Sequence, residues 1–205
     1  MCHVCRYERR THWDQYACFQ CRVVKTRRRQ KVSQFESSYG MTDRYSALSC
    51  LVSMDGEESV RARRDAALKK FYDDAAGDAL ILNKWFTAQA LADLPDVLDR
   101  VKALVDHPEF TLSNPNRARS LISAFSMNAA HYHAEDGEGY KFLGEMVAKL
   151  DKLNPQMSSR MGGGLIQWKR YNEERGALMK AELQKLADMK PISNDLFEVV
   201  SRGLK

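Results

Sequence analysis

The sequence predicts an all-α protein built as a series of short antiparallel helix pairs, an armadillo/HEAT-like superhelical array. Three observations lead there. Apolar residues after position 41 recur with helical period, and the alternation of a half-buried strand is hard to find. N-cap side chains or first-turn prolines precede several of these stretches. The connections are short, which makes successive helices antiparallel neighbours.

Nine helices are expected in order. Thr42 and Asp43 open the first, over 43–54, and periodicity alone carries the second, over 57–76. Asp78 is placed to cap a helix over 79–91, and Pro95-Asp96 starts one over 95–106, where Val97, Leu98, Val101, Leu104 and Val105 form one stripe. Asn114-Pro115 begins a helix over 115–126. Glu135 or Asp136 caps the next, over 137–152, with Phe142, Leu143, Met146, Val147 and Leu150 inward and Lys149 and Asp151 outward. Asn154-Pro155 starts a helix over 155–168, in which Gly162-Gly163-Gly164 predicts a weakened or interrupted stretch. Helices over 172–189 and 194–203 follow, the last opened by Ser193-Asn194. Trp85, Phe86, Trp168 and Tyr171 are expected to anchor the core, and Cys50, between Leu48 and Leu51, to be a small buried residue.

The 205 residues, 44% hydrophobic, suffice for one well-buried domain. The positive charge is local: residues 1–40 carry nine Lys/Arg against Glu8, Asp14 and Glu36, while the remainder is close to neutral. The basic balance therefore does not make the helical part a nucleic-acid binder. With no apolar run of membrane-spanning length and no apolar signal core, no membrane partner is expected. Four of the five cysteines fall in the first 21 residues, leaving no disulfide framework for the main domain and a reducing, cytoplasmic setting as the expectation.

Residues 1–40 thus form a basic, Cys-containing tail with two readings. Cys2, Cys5, Cys18 and Cys21 have the form of a four-thiolate structural zinc site, with Lys25–Lys31 as a phosphate-contacting arm. The gap between the pairs is short for a zinc ribbon and no glycine follows either pair, so a disordered leader is the favoured reading. His131, His133 and Glu135 offer a second set of metal-ligand types, but their i, i+2, i+4 spacing suits a strand, and the segment leads into a helix.

The motifs Asn83-Lys-Trp-Phe86, Ser113-Asn-Pro-Asn-Arg-Ala-Arg-Ser120, His133-Ala-Glu-Asp-Gly-Glu-Gly-Tyr140, and Arg160 followed by Trp168-Lys-Arg-Tyr171 stand in one order along the chain. From Met41 to Lys205 this resembles the last domain of the alanyl (type N) aminopeptidases of the M1 zinc metallopeptidase family, and the tail lies outside the likeness. The resemblance implies a superhelical bowl of helix pairs that closes over the family's zinc site, with the parent's catalytic domain and a peptide substrate as partners. No His-Glu-x-x-His and no Gly-Ala-Met-Glu-Asn segment occurs here, so no catalytic residue and no resident cofactor are expected in this chain, and it should not hydrolyse peptides alone. The resemblance further implies that Arg119 and Arg160 reach toward the downstream side of the substrate. A guanidinium suits that role because it forks onto a carboxylate and stays charged. Arg117, about 200° around the helix from Arg119, faces elsewhere. The rival reading is a zinc-binding, basic-tailed protein that binds nucleic acid or another macromolecule through its tail.

Overall fold

The structure, a computed structural model, describes residues 30–205. Every regular element among them is helical. Two compact units divide at Ala88 and Gln89.

In the first unit, α1 (30–37), α2 (Met41–Val52) and α3 (Glu58–Ala75) precede α4 (Ala79–Ala90), which runs on past the boundary. The inward face of α2 is Ala47, Leu48, Leu51 and Val52, and it packs on α3, which buries Ala67, Leu68, Phe71 and Ala75. Residues 30–37, assigned to the tail from sequence, contribute the buried Phe35 to this core. The Arg44 guanidinium lies 5.0 Å from the Phe35 ring and 5.6 Å from Phe71, and it pairs with Asp74. Trp85 and Phe86 are buried as expected, and the Trp85 indole N–H donates to the Leu68 carbonyl at 3.0 Å. Cys50 is not buried. Its apolar neighbours misled the reading, because residues one and two positions away do not share a helix face, and the inward stripe passes through 47, 48, 51 and 52.

The second unit holds α5 (Val97–Val105), α6 (Pro115–Ala118), a π-helical turn (Arg119–Ser123), α7 (Ala124–Met127), α8 (Ala129–Tyr132), α9 (Glu138–Asp151), α10 (Pro155–Gly162), a 3-10 turn (Trp168–Arg170), α11 (Glu173–Asp188) and α12 (Asn194–Leu204). Helix α9 packs on α10 and α11, and α12 packs on both of those, so four helices surround one core. Leu143, Val147, Leu150, Met179, Leu183, Leu196 and Val200 are almost fully removed from water there, which is the main stabilising contribution. The buried Ser158 hydroxyl donates to the Val147 carbonyl at 2.9 Å, tying α10 to α9.

Side-chain caps explain several helix starts. The Asn114 side chain accepts from the amides of Asn116 and Arg117, Asn154 from Met157, Asn172 from Arg175 and Ser193 from Leu196. Asp78 accepts from the Leu80 and Ile81 amides at 2.7 and 3.2 Å. Asp136 accepts from the Glu138 amide at 3.0 Å, whereas Glu135 turns to Arg175. Two expected caps are absent from α2 and α5: Gly40 precedes α2 without a side-chain bond, and Asp96 pairs with Arg100 at 2.9 Å instead of capping. The helix expected over 155–168 stops at Gly162, where the glycine triplet interrupts it, and turns occupy 163–167.

Two further expectations are corrected. Trp168 is only half-buried and Tyr171 is exposed, because both sit beyond the interruption on a surface segment. Asp151 is buried, not turned outward. It lies one turn after Val147 on the apolar stripe, and its carboxylate accepts from the Ser193 amide at 2.9 Å and the Ser193 hydroxyl at 2.5 Å. Those two donors make burial of the charge tolerable and fix the start of α12.

Candidate functional site

Arg117, Arg119 and Ser120 follow a helix start that Asn114 and Pro115 define. Arg117 is buried, and its carbonyl accepts from the Ser120 hydroxyl at 2.8 Å. Arg119 is exposed, so the two side chains do leave the helix on different faces. It also opens the π-helical turn, a widened register that occurs mostly as a single-turn insertion within α-helices and is frequent at functional sites. Arg160 is exposed as well, on α10, which buries Met157, Ser158 and Met161.

Neither Arg119 nor Arg160 has an ion-pair or hydrogen-bond partner for its guanidinium among the described residues, a state Arg63 shares. By contrast Arg44, Arg61, Arg64, Arg100, Arg175 and Arg202 each face a carboxylate. The π turn packs on α5 and its own flanking turns, and α10 packs on α9 and α12.

The His-rich segment is dispersed among separate partners. His131 Nε2 meets Asp93 at 3.0 Å, Glu135 meets Arg175 at 3.4 Å, and His133 lies between two tyrosines. His133 Nδ1 is 2.8 Å from the Tyr140 hydroxyl and Nε2 is 2.9 Å from that of Tyr171, whose ring stacks on the imidazole with centroids 4.3 Å apart. In the neutral ring one nitrogen donates and the other accepts, so one tyrosine donates and the other accepts. The Arg175 Nε–H donates to the His133 carbonyl at 2.8 Å. The Tyr132 hydroxyl is buried beside this cluster without a partner among the described residues, and burial together with Tyr140 and Tyr171 holds it well above the usual phenol range. Sequence reading did not connect His133 with Tyr171, since 38 residues separate them and no short spacing signals the pair.

Burial, reinforced by the Arg175 charge, lowers the His133 pKa below 6.5. The unfolded chain therefore takes up the proton first as pH falls. This contribution to stability is complete above about pH 6.5 and is lost as pH falls through the lowered folded value. We expect the melting temperature of the wild type to drop more steeply below pH 6.5 than that of His133→Gln, as followed by circular dichroism. Parallel pH profiles would reject the assignment.

No group of three His, Cys, Asp or Glu among the described residues is arranged to hold a metal ion. Cys2, Cys5, Cys18 and Cys21 lie outside the described residues. No helix among the described residues is long and apolar enough to cross a membrane.

Residues 16–205 match the family described as a domain of unknown function (DUF3458_C) of ARM repeats. The chain belongs to that family. The DUF3458_C match begins upstream of Met41, where the resemblance read from sequence begins, and its ARM repeats are the helix-pair architecture expected. Aminopeptidase N of Escherichia coli K12 is 41% identical over 172 residues, spanning 83% of this chain and 19% of the relative. Aminopeptidase N of Caulobacter vibrioides is 36% identical over 174 residues, 84% of this chain and 20% of the relative. A crystal structure of Legionella pneumophila aminopeptidase A in complex with aspartic acid superposes with a TM-score of 0.81 at 32% identity, covering 88% of this chain and 21% of that one. The chain thus spans about a fifth of the length of these relatives and corresponds to the C-terminal domain of proteins named aminopeptidase N.

Proposed function

We propose that this DUF3458_C domain acts as the closing domain of a zinc aminopeptidase that removes N-terminal residues from peptides, with the parent's catalytic domain as its partner. That other part would hold the zinc, which would supply an activated water for the substrate's scissile carbonyl. This chain's contribution is to bind and orient the substrate's downstream end. Arg119 and Arg160 are assigned that task, each offering a fixed positive charge to a carboxylate or carbonyl. The observation that carries the assignment is that both guanidinium groups are exposed and without a partner among the described residues, where most of the other arginines face carboxylates. The π-helical turn at Arg119 supports it independently. The exposed free thiol of Cys50 suits a reducing compartment, and we place the protein in the cytoplasm.

The test uses the E. coli relative with its homologous segment replaced by this domain. Arg119→Ala or Arg160→Ala should lower kcat/KM for tripeptides by about tenfold or more, the equivalent of one charge-assisted hydrogen bond. Small chromogenic amides that lack the downstream carboxylate should change by no more than about twofold. Equal losses on both substrate classes would remove the substrate-binding assignment.

A further inference from the structure

Between Arg119 and His131 the chain carries no charged residue, although it runs through a partly exposed helix. Ser123 and Ser126 are half-buried, Met127 is 77% exposed, and Ala129 and Ala130 are exposed. Leu91, 44% exposed, joins them from the end of α4, because the Asn128 side chain donates to the carbonyls of Ala90 at 3.2 Å and Ala92 at 3.0 Å. The His131–Asp93 pair adds a polar edge. A helix face built for water reads differently: the outward positions of α3 include Arg61, Arg63, Asp65, Lys69, Lys70 and Asp73. An apolar centre depleted of charge with a polar rim is the composition of an interface.

We propose that the face formed by Leu91, Met127, Ala129 and Ala130 is where the larger, preceding part of an aminopeptidase N-length chain docks. This rests on the reading that the domain closes a longer enzyme, and it adds the surface through which it does so. The occupant follows from length: the relatives contain four-fifths of their chain outside the segment matched here. A second copy of this chain is the competing occupant. Docking at Met127 leaves Arg119, two turns earlier on the same run of helix, at the margin of the covered area, where a bound peptide could reach it.

The experiment mixes the 205-residue chain with the E. coli aminopeptidase N polypeptide shortened to omit its homologous segment, and measures binding by calorimetry and hydrogen exchange. The expected result is association with amide protection over 123–130. Met127→Lys and Ala130→Glu should each weaken it by about tenfold or more. Leu153→Lys, an exposed apolar position after α9, should bind as the wild type does. Circular dichroism shows whether each variant is folded, and the two variants on the face test it independently of each other. No association, unchanged binding by both variants, or protection confined to other residues would overturn the proposal. So would self-association of the chain alone that Met127→Lys abolishes, since this assigns the face to a second copy. If docking behaves as expected while Arg119→Ala leaves peptide cleavage unchanged, the substrate assignment alone fails.

Discussion

Gly139→Ala should destabilise the protein by about 3 kcal/mol, at the upper end for overpacking, and lower its melting temperature by roughly 6–12 °C. Gly139 lies in the first turn of α9, where the chain passes directly over the end of α8. A Cβ at this position would sit 2.5 Å from the Tyr132 carbonyl oxygen and 3.1 Å from its carbonyl carbon and Cα. Backbone cannot rotate out of the way as a side chain can, so α8 and α9 would have to separate. Tyr132 would move with them, and its ring stands edge-on to Phe125 and Tyr140 with centroids 6.2 and 5.1 Å away. Gly137→Ala tests the same turn by another route. Its φ of 71° is left-handed, and a Cβ there would meet Leu178 at 2.9 Å, but that neighbour is the far end of a flexible chain. The cost should be smaller, about 1–2 kcal/mol from the backbone conformation. A thermal melt of Gly139→Ala within about 2 °C of the wild type would show that the two helices are not in close contact.

The second large effect is expected at Asp151. Asp151→Ala removes both acceptors of Ser193 and leaves the Ser193 amide without its partner at the start of α12. The loss should be about 3 kcal/mol, combining a charge-assisted hydrogen bond with an unsatisfied amide. Ser193→Ala should cost about 1–2 kcal/mol, since it removes the cap on Leu196 and the hydroxyl bond but leaves the amide bond in place. Because both changes act on one contact, the double variant should lose less than the sum, as a double-mutant cycle in urea would show. Amide exchange at Leu196 should accelerate more in Asp151→Ala than exchange in α3, which belongs to the other unit. A loss under about 1 kcal/mol for Asp151→Ala would mean that the contact contributes little to the stability of α12.

The sequence by itself determined that residues 41–205 are helical and where most of their helices begin. Asn114, Asn154 and Ser193 accept from amides two or three residues ahead, and such contacts are local enough to be written in a short spacing. The inward stripes of α5 and α9 were legible for the same reason, because residues three and four apart share a face. Four motifs in one order also carried the family. Of the candidate site, the opposite directions of Arg117 and Arg119 followed from helix geometry alone.

Only the tertiary structure decided what partners each side chain has. Asp151 looked like a surface charge until Ser193, 42 residues later, supplied two donors to bury it. His131, His133 and Glu135 have a spacing that already argues against one set of ligands, but only the structure shows their separate partners, Asp93, Tyr171 and Arg175. Phe35 looked like part of a tail until Phe71 gave it a core to enter, with ring centroids 6.5 Å apart. Whether a polar group is buried depends on the donors and acceptors brought to it from distant parts of the chain, and helical period carries no information about those partners.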